Sequence, residues 1–417
     1  MSEAAIDKID LSTQDPWSVP LDKIDMSDPS LFQTDTLWGY FERLRKEDPV
    51  HYTPESMFGP YWSITKFNDI MQVDKNHTAF SSDDGITLPD RPLDFQTPNF
   101  ISMDPPKHDV QRKAVTSVVA PFNLAKMEPV IRERVCTILD NLPVDEAFNW
   151  VDLVSVELTT QMLATLFDFP FEDRRKLSFW SDVAIADTNS PDAVVSGDKE
   201  RMKHLYEMAE YFAGLWKQRE AAEPTFDLIS MLAHSEATAN MPPREFIGNI
   251  ALLIVGGNDT TRNSMSGALL AFADNPGEYE KLQADHGLIK NMVPEIIRYQ
   301  TPVIHMRRTA LQETEISGHR IAKGDKVVMW YVSGNRDESA IENADQFIID
   351  RPRARRHLSF GAGIHRCVGD RLAELQLAIL WEEILRRDLK IEVMGPPVRL
   401  YSNFIRGIRS LPVRIAE

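Results

Sequence analysis

The segment with the most specific chemical pattern runs from Phe360 to Gly369, FGAGIHRCVG, and it contains Cys367 and His365. Its three glycines indicate a backbone that turns tightly or approaches a flat group closely. Because nearby arginines and the start of a helix lower a thiol pKa, we expect Cys367 to ionise readily to a thiolate. A thiolate in a glycine-rich, apolar loop suits the axial position of a haem iron.

Other interpretations explain this segment less well. A dinucleotide-binding loop would need a third glycine where Arg366 stands, and a surrounding unit of buried parallel strands that the sequence does not indicate. A metal site built on His365 and Cys367 would need further ligands, and none stands at a suitable spacing. The second cysteine, Cys136, lies in an ordinary helical pattern and is expected to be a small buried apolar side chain.

A second candidate site lies in a proline-free stretch from Arg244 to Asn275, which reads GGNDTT from Gly256 onward. Each glycine in a helix interior costs about 1 kcal/mol relative to alanine, so two together indicate a bulge or the approach of a ligand. Asp259 and Thr260 follow directly in an otherwise apolar run. A tight crossing between two helices with a solvated aspartate explains the pattern equally well.

Two further pairs have helical spacing. Glu295 and Arg298 are three residues apart, a spacing that usually produces a surface ion pair. His108 and Arg112 share one face of a helix that follows two prolines. That face could hold an anionic group, although a solvated polar surface is the commoner explanation.

The composition limits the class of protein. The chain has 417 residues, a formal net charge of −17 and two cysteines. The acidic balance argues against nucleic acid as a partner, and the cysteine count excludes a disulfide scaffold and a Cys-ligated iron–sulfur cluster. No stretch reaches the about 18 apolar residues of a membrane span, and the N-terminus lacks a signal-peptide pattern. We therefore expect a cytoplasmic protein.

The elements that must position these residues are mainly helical. We predict an irregular lead-in over residues 1–35, a hairpin of Val50–Thr53 with Tyr61–Ser63, and a long loop over 81–100. Helical periodicity dominates from Asp109 to about Leu270 and returns over 370–387, while 314–330 and the tail from Lys390 read as short strands. The sequence predicts a mainly α protein with small β-sheets.

Taken together and in this order, the motifs resemble those of soluble bacterial cytochromes P450, which are haem-thiolate monooxygenases. Phe360–Gly369 matches the haem-binding loop F-x-x-G-x-x-x-C-x-G, and Glu295–Arg298 matches the E-x-x-R pair. Gly256–Thr260 matches the helix signature A/G-G-x-D/E-T, and Asn335–Asp337 matches the N-R-D segment. The resemblance implies the cytochrome P450 fold, as a single haem-containing domain over residues 1–417.

The resemblance also implies site roles. It makes Cys367 the iron ligand of haem b, and it makes Asp259 and Thr260 the pair that relays protons while O2 is activated. Glu295, Arg298 and Arg336 would form a structural network beneath the haem. The remaining residues implied to contact the haem or its propionates are His108, Arg112, Arg308, Phe360, Gly361, His365 and Gly369.

Three short segments resemble the alkane and fatty-acid ω-hydroxylase (CYP153-like) branch of the family: GGNDTTRNSM, YQTPVIHMRRTA and SNFIRGIR. This branch hydroxylates the terminal methyl group of medium-chain alkanes, fatty acids and alcohols. Oxidation of a terpene or steroid, or a non-catalytic haem-binding sensor, stays open as an alternative. The predicted walls of the apolar substrate pocket, each of which also suits an ordinary core, are Ile86, Leu88, Phe95, Ile254, Gly257, Val303, Met306 and Phe404.

The chain carries no reductase domain pattern, so the family implies electrons from NADH through a ferredoxin reductase and a [2Fe–2S] ferredoxin. Residues 351–356 read RPRARR, and Arg366 and Arg371 are close to Cys367 in the sequence. A basic patch there would steer an acidic ferredoxin toward the cysteine side. Solvated charge together with propionate pairing is the alternative explanation.

Overall fold

The computed structural model describes residues 9–90, 97–116, 118–188, 190, 193–236 and 238–416, which form fourteen α-helices and twelve β-strands. The helices are α1 (Pro29–Gln33), α2 (Leu37–Glu47), α3 (Phe67–Lys75), α4 (Lys107–Thr116), α5 (Pro121–Asp140), α6 (Glu157–Phe167), α7 (Arg175–Ile185), α8 (Gly197–Glu220), α9 (Leu228–His234), α10 (Pro243–Asp274), α11 (Pro276–Ala284), α12 (Ile289–Gln300), α13 (Tyr331–Gly334) and α14 (Asp370–Arg386). The strands are β1 (Val50–Thr53), β2 (Tyr61–Ile64), β3 (Phe80–Ser81), β4 (Ala147–Asn149), β5 (Met306–Ala310), β6 (Thr314–Ile316), β7 (His319–Ile321), β8 (Lys326–Met329), β9 (Lys390–Val393), β10 (Val398–Arg399), β11 (Ile408–Ser410) and β12 (Pro412–Ala416). The prediction of a mainly α protein with small sheets is confirmed. Within these ranges, no helix is long and apolar enough to cross a bilayer.

The largest sheet has the strand order β1-β2-β8-β5-β3. Strands β1 and β2 form the predicted hairpin, with Val50 opposite Ile64 and Thr53 opposite Tyr61. Strand β2 pairs with β8 in parallel, and β5 pairs with β8 in antiparallel register. The sheet therefore places β5 between β8 and the short N-terminal strand β3.

Helix α10 is the central element of the helical part. It spans 32 residues, which corresponds to a length of about 48 Å. Pro243 occupies its first turn, where the missing N–H costs nothing. Helices α6, α7, α12 and α14 pack around it, and its buried side chains belong to the main hydrophobic core. Because it is covered on most sides, α10 is apolar on several faces instead of one.

The predicted irregular lead-in is more regular than expected over its described part. Leu11–Thr13 and Leu21–Lys23 form short 3-10 turns, and Pro29–Gln33 is α-helical. The side chains of this segment pack into a second hydrophobic cluster with Trp330. Their burial explains how a proline-punctuated segment with little regular structure is held in place.

A buried network joins α12 to the segment before the cysteine loop. Arg298 donates from Nε and Nη2 to the two carboxylate oxygens of Glu295, each at 2.7 Å. Arg351 donates a further hydrogen bond of 3.0 Å to the same carboxylate. Glu295 and Arg298 have no exposed surface, so the pair is a core feature, unlike the surface pairs that this spacing usually produces.

The third side chain bonded within this network is Arg351. The family resemblance implied Arg336 for this position. Arg336 donates to the carbonyl of Asp345 at 2.6 Å and stacks 3.9 Å above the ring of Tyr299. Burial, together with the neighbouring arginines, lowers the pKa of Arg336 to about 10. Its neighbour Asn335 instead contributes a backbone carbonyl to Arg298, at 2.8 Å.

We predict that Arg351→Ala lowers the free energy of unfolding by about 3 kcal/mol, because it removes one cation from a buried carboxylate. Arg353→Ala is the matched control, since Arg353 is exposed and two residues away. It should change stability by less than about 0.5 kcal/mol. Urea unfolding followed by circular dichroism measures both variants. Equal midpoints for the two would show that the Glu295 network does not need Arg351.

Candidate functional site

The backbone of the 360–369 segment is held in a tight turn. Gly361 and Gly363 have φ angles of 66° and 64°, in the left-handed region that favours glycine. A Cβ atom on Gly363 would lie 2.6 Å from the backbone oxygen of Asp74. The N–H of Cys367 donates to the carbonyl of Phe360 at 2.8 Å, which closes the turn ahead of α14.

Asp74, at the end of α3, is a site residue that the sequence did not reveal. Its carboxylate accepts hydrogen bonds from the N–H of Ala362 at 2.7 Å and from the hydroxyl of Tyr331 at 2.9 Å. Arg308 donates to it at 2.8 Å. Asp74 thus positions both the cysteine loop and Arg308, a predicted partner of the haem propionates. No local signal could have identified it, because its partners lie more than 200 residues away in the sequence.

The ionisation of Cys367 differs from the prediction. Burial is the largest effect and raises the pKa of Cys367 to about 11, although Arg112, Arg366 and the Gly369 N–H oppose it. The residue nevertheless has exposed surface. The side chain therefore keeps surface that a ligand can reach. The expectation of a ready thiolate was therefore wrong, but coordination to a metal ion deprotonates a thiol without prior ionisation.

Two histidine and two arginine side chains from three parts of the chain meet beside this turn. The rings of His108 and His365 lie 4.5 Å apart, and both residues are buried. Burial, followed by the charges of Arg308, His108 and Arg112, lowers the pKa of His365 to about 2. Among the described residues, His108 Nε2 and His365 Nδ1 have no hydrogen-bond partner. Unpartnered ring nitrogens beside two arginines suit a ligand with carboxylate groups.

Helix α10 has an uncovered backbone at Gly256. Gly256 is exposed although it lies midway along a largely buried helix, and no described atom lies within 4 Å of a Cβ built there. Thr260 is one turn later, and its hydroxyl donates to the Gly256 carbonyl at 2.8 Å. The predicted pocket residues Gly257 and Ile254 are more covered than Gly256. A Cβ on Gly257 would lie 2.7 Å from Leu163 of α6, and Ile254 is buried in the main core.

Asp259 is directed toward α7, unlike its neighbour Thr260. It is fully buried, and its carboxylate accepts a hydrogen bond of 2.5 Å from Ser181. Arg262 forms ion pairs with Asp259 and, at 2.6 Å, with Asp182. Burial raises the pKa of Asp259 to about 6, against the opposing effect of Arg262. The carboxyl group can therefore hold and release a proton near neutral pH.

The other predicted pocket residues come from three segments. Ile86 and Leu88 are buried in the segment after β3, while Val303, Met306 and Phe404 are half-buried. The N–H of Ile304 donates to the carbonyl of Phe404 at 2.9 Å, and Val303 forms a bridge with Ile405, so these two segments are neighbours. The remaining prediction, Phe95, lies outside the described residues.

These features fit the haem that the motifs imply. Cys367 keeps exposed surface, and Gly256 leaves the backbone of α10 uncovered. His108 and His365 supply nitrogens without partners among the described residues, which suits propionates. Phe360, Gly361 and Gly369 shape the turn around the cysteine.

Comparison with known proteins agrees with this site. A statistical description of the family "Cytochrome P450" matches residues 30–398. The solved structure of CYP153D17 from Sphingomonas sp. PAMC 26605 is 49% identical, with a TM-score of 0.90 over 95% of this chain and 100% of that chain. Linalool 8-monooxygenase from Pseudomonas putida is 34% identical over 94% of this chain and 99% of that protein. A methyl-branched lipid omega-hydroxylase from Mycobacterium bovis is 31% identical over 99% of this chain and 95% of that protein. With its fold, its motifs and most of its length in agreement, the chain belongs to the cytochrome P450 family and is a P450 monooxygenase.

Proposed function

We propose that the protein hydroxylates the terminal methyl group of medium-chain alkanes, fatty acids or alcohols. The observation that carries this proposal is the 49% identity to CYP153D17 over nearly the whole chain. The motif resemblance to the alkane and fatty-acid ω-hydroxylase branch leads to the same substrate class. The relative from Mycobacterium bovis, named as an omega-hydroxylase of a lipid, supports oxidation at a chain end.

The residues divide the work of this reaction between holding the cofactor and managing protons. When bound, haem supplies the activation of O2 and the insertion of one oxygen atom into a C–H bond. We assign Cys367 as the iron ligand, and His108, Arg112, Arg308 and His365 as partners of the propionates. The two unpartnered ring nitrogens favour this assignment for the histidines.

Thr260 and Asp259 would act from different sides of α10. The Thr260 hydroxyl, bonded to the Gly256 carbonyl, lies at the uncovered part of the helix and can donate or accept a hydrogen bond there. Asp259, bonded to Ser181 and paired with Arg262, holds a proton beneath that surface. A carboxyl group with a pKa of about 6 is suited to passing protons inward near neutral pH.

Selectivity for a chain end must come from orientation, because the internal CH2 bonds of a chain are weaker than those of its methyl group. An apolar site that admits the chain lengthwise brings the methyl group to the reacting position first. Leu88, Val303, Met306 and Phe404 are our candidates for this site. They are apolar, and the last three are half-buried, so each keeps some surface for a ligand.

For electron delivery, we propose an NADH-dependent reductase and a [2Fe–2S] ferredoxin. Arg351 is buried in the Glu295 network, so it does not belong to the predicted basic patch. The arginines that remain exposed near the cysteine loop are Arg353, Arg355, Arg356, Arg366 and Arg371. If they attract an acidic ferredoxin, rising salt should slow ferredoxin-driven turnover, since screening weakens charge steering. Turnover that is independent of salt would argue against this docking.

One observation favours a second candidate, oxidation of a terpene. Linalool 8-monooxygenase matches this chain at 34% identity over 94% of its length. The two candidates differ in the shape of the substrate, because a linear chain fills a narrow site and a branched terpene needs a wider one.

We predict that the reduced, CO-bound holoprotein shows the long-wavelength Soret band of a thiolate-ligated haem. Cys367→Ala should abolish this band, because no other cysteine can replace the ligand. Cys136→Ala is the matched control and should keep it, since the half-buried Cys136 thiol donates to Glu383 between α5 and α14. An unchanged band in Cys367→Ala would contradict the assignment of the ligand.

We predict that Thr260→Ala uncouples electron use from product formation, because it removes the hydroxyl at the uncovered part of α10. NADH consumption should continue while product falls and peroxide rises. The ratio of peroxide to product should rise by about a hundredfold, the lower end of the usual contribution of one proton-transfer group. Thr260→Ser keeps the hydroxyl and serves as the control. Full coupling in Thr260→Ala would rule out this role.

The substrate proposal is tested by titrating the ferric holoprotein with a panel of octane, dodecane, dodecanoate, dodecanol and linalool. Substrate that displaces water from the haem changes the absorption spectrum, so binding is read directly. We expect the linear compounds to bind and to give terminal alcohols once ferredoxin, reductase and NADH are added. Binding and oxidation of linalool alone would favour the terpene candidate, and binding without any product would favour a sensor.

A further inference from the structure

His305 connects two segments that carry predicted walls of the substrate site. It stands between Ile304 and β5, and it has no exposed surface. Its Nδ1 lies 2.8 Å from the carbonyl oxygen of Asn403, and its Nε2 lies 3.2 Å from the backbone nitrogen of Leu88. The imidazole therefore bridges residues that are 315 positions apart (403 − 88).

The two partners determine which tautomer is present. The Asn403 carbonyl can only accept, so Nδ1 carries the hydrogen, and the Leu88 N–H can only donate, so Nε2 offers its lone pair. Burial lowers the pKa of His305 to about 4, and the charge of Arg307 acts in the same direction. The neutral ring is therefore the form present at neutral pH, and it has a donor on one side and an acceptor on the other.

The 86–88 segment and the turn that contains Asn403 are each also held by hydrogen bonds to other parts of the protein. Lys326 donates to the Leu88 carbonyl at 3.1 Å, and the N–H of Arg307 donates to the Ile86 carbonyl at 2.8 Å. Asn403 donates through its side chain to the carbonyl of Ser27 at 2.6 Å. With both segments anchored, the bridge between them sets their separation.

The ring itself is packed and cannot adjust freely. It meets Trp330 edge-on, with centroids 5.0 Å apart, and Phe404 in the same way at 5.6 Å. The contact with Phe404 links the imidazole directly to a candidate pocket residue. The indole of Trp330 is held by a hydrogen bond of 2.9 Å to Ser63, so the ring packs against a fixed surface.

We propose that His305 is a positioning residue that selects the oxidised carbon, because it fixes the spacing between the 86–88 segment and the 402–406 turn. This inference rests on the proposed function, in which Leu88 and Phe404 border the substrate. A displacement of the substrate's alkyl chain by about 1 Å decides whether its methyl group or the neighbouring CH2 group is oxidised. Small changes in the spacing of the pocket walls therefore alter the product. His305 acts through these walls and does not itself touch the reacting atoms.

Three substitutions separate the two hydrogen bonds from the packing. His305→Gln places an amide oxygen near the position of Nε2 and retains an acceptor for the Leu88 N–H. His305→Asn places an amide nitrogen near Nδ1 and retains a donor for the Asn403 carbonyl. His305→Phe keeps a ring against Trp330 and Phe404 but loses both bonds.

We expect His305→Gln and His305→Asn, which each break one end of the bridge, to raise the ratio of subterminal to terminal alcohol from dodecane about fivefold, the effect of losing one ordinary hydrogen bond. His305→Phe breaks both ends and should raise the ratio further. Hydrogen–deuterium exchange gives a readout that is independent of turnover. The amide of Leu88 should exchange faster in the Phe and Asn variants, and at the wild-type rate in the Gln variant.

His51→Phe is the matched control. His51 is also buried, and its ring also has partners at both nitrogens: Asp48 at 2.7 Å and the Ile24 carbonyl at 3.1 Å. It should leave the product ratio and Leu88 exchange unchanged. An unchanged ratio in His305→Phe, in an active enzyme, would overturn the proposal while leaving the proposed function intact. A wild-type enzyme that binds none of the linear compounds would overturn the proposed function and this proposal with it.

Discussion

The buried carboxylate of Asp74 connects the parts of the molecule that form the cofactor site. It receives hydrogen bonds from Arg308 on β5, from Tyr331 on α13 and from the backbone of Ala362 in the cysteine loop. A carboxylate at 2% exposure is costly unless its oxygens are fully bonded, and here three donors from distant segments share them. The sheet, α3 and the cysteine loop are therefore held in one arrangement by a single group. Glu295 is a second buried carboxylate that joins distant segments, because both Arg298 and Arg351 donate hydrogen bonds to it.

The sequence predicted the features whose determinants are local. The tight turn at Gly361 and Gly363, the long helix from Arg244 to Asn275 and the β1–β2 hairpin are encoded by residues close to one another, and all three are present. The family resemblance extended this knowledge to the whole fold.

The sequence failed where distant partners decide the outcome. Asp74 and Arg351 carry no local signal, because what matters is which carbonyls and cations surround them after folding. The motif does not distinguish its two glycines, and only the packing of Leu163 on α10 makes Gly256 the uncovered one. The ionisation of Cys367 was misjudged for the same reason, since nearby charges can be read from the sequence but burial cannot.

The contacts of Asp259 have a thermodynamic consequence. Its carboxylate is bonded to Ser181 on α7, and Arg262 links it to Asp182 on the same helix. Proton binding at Asp259 and the docking of α7 are therefore linked equilibria, and linkage is reciprocal. A displacement of α7 removes the Ser181 hydrogen bond, which favours the ionised form of Asp259, but it also removes burial and the charge of Asp182, which are larger effects and favour the protonated form. Such a displacement therefore lowers the proton affinity of Asp259. By the same relation, release of a proton from Asp259 loosens the docking of α7 on α10, so the protonation of an interior acid and the position of a neighbouring helix are coupled.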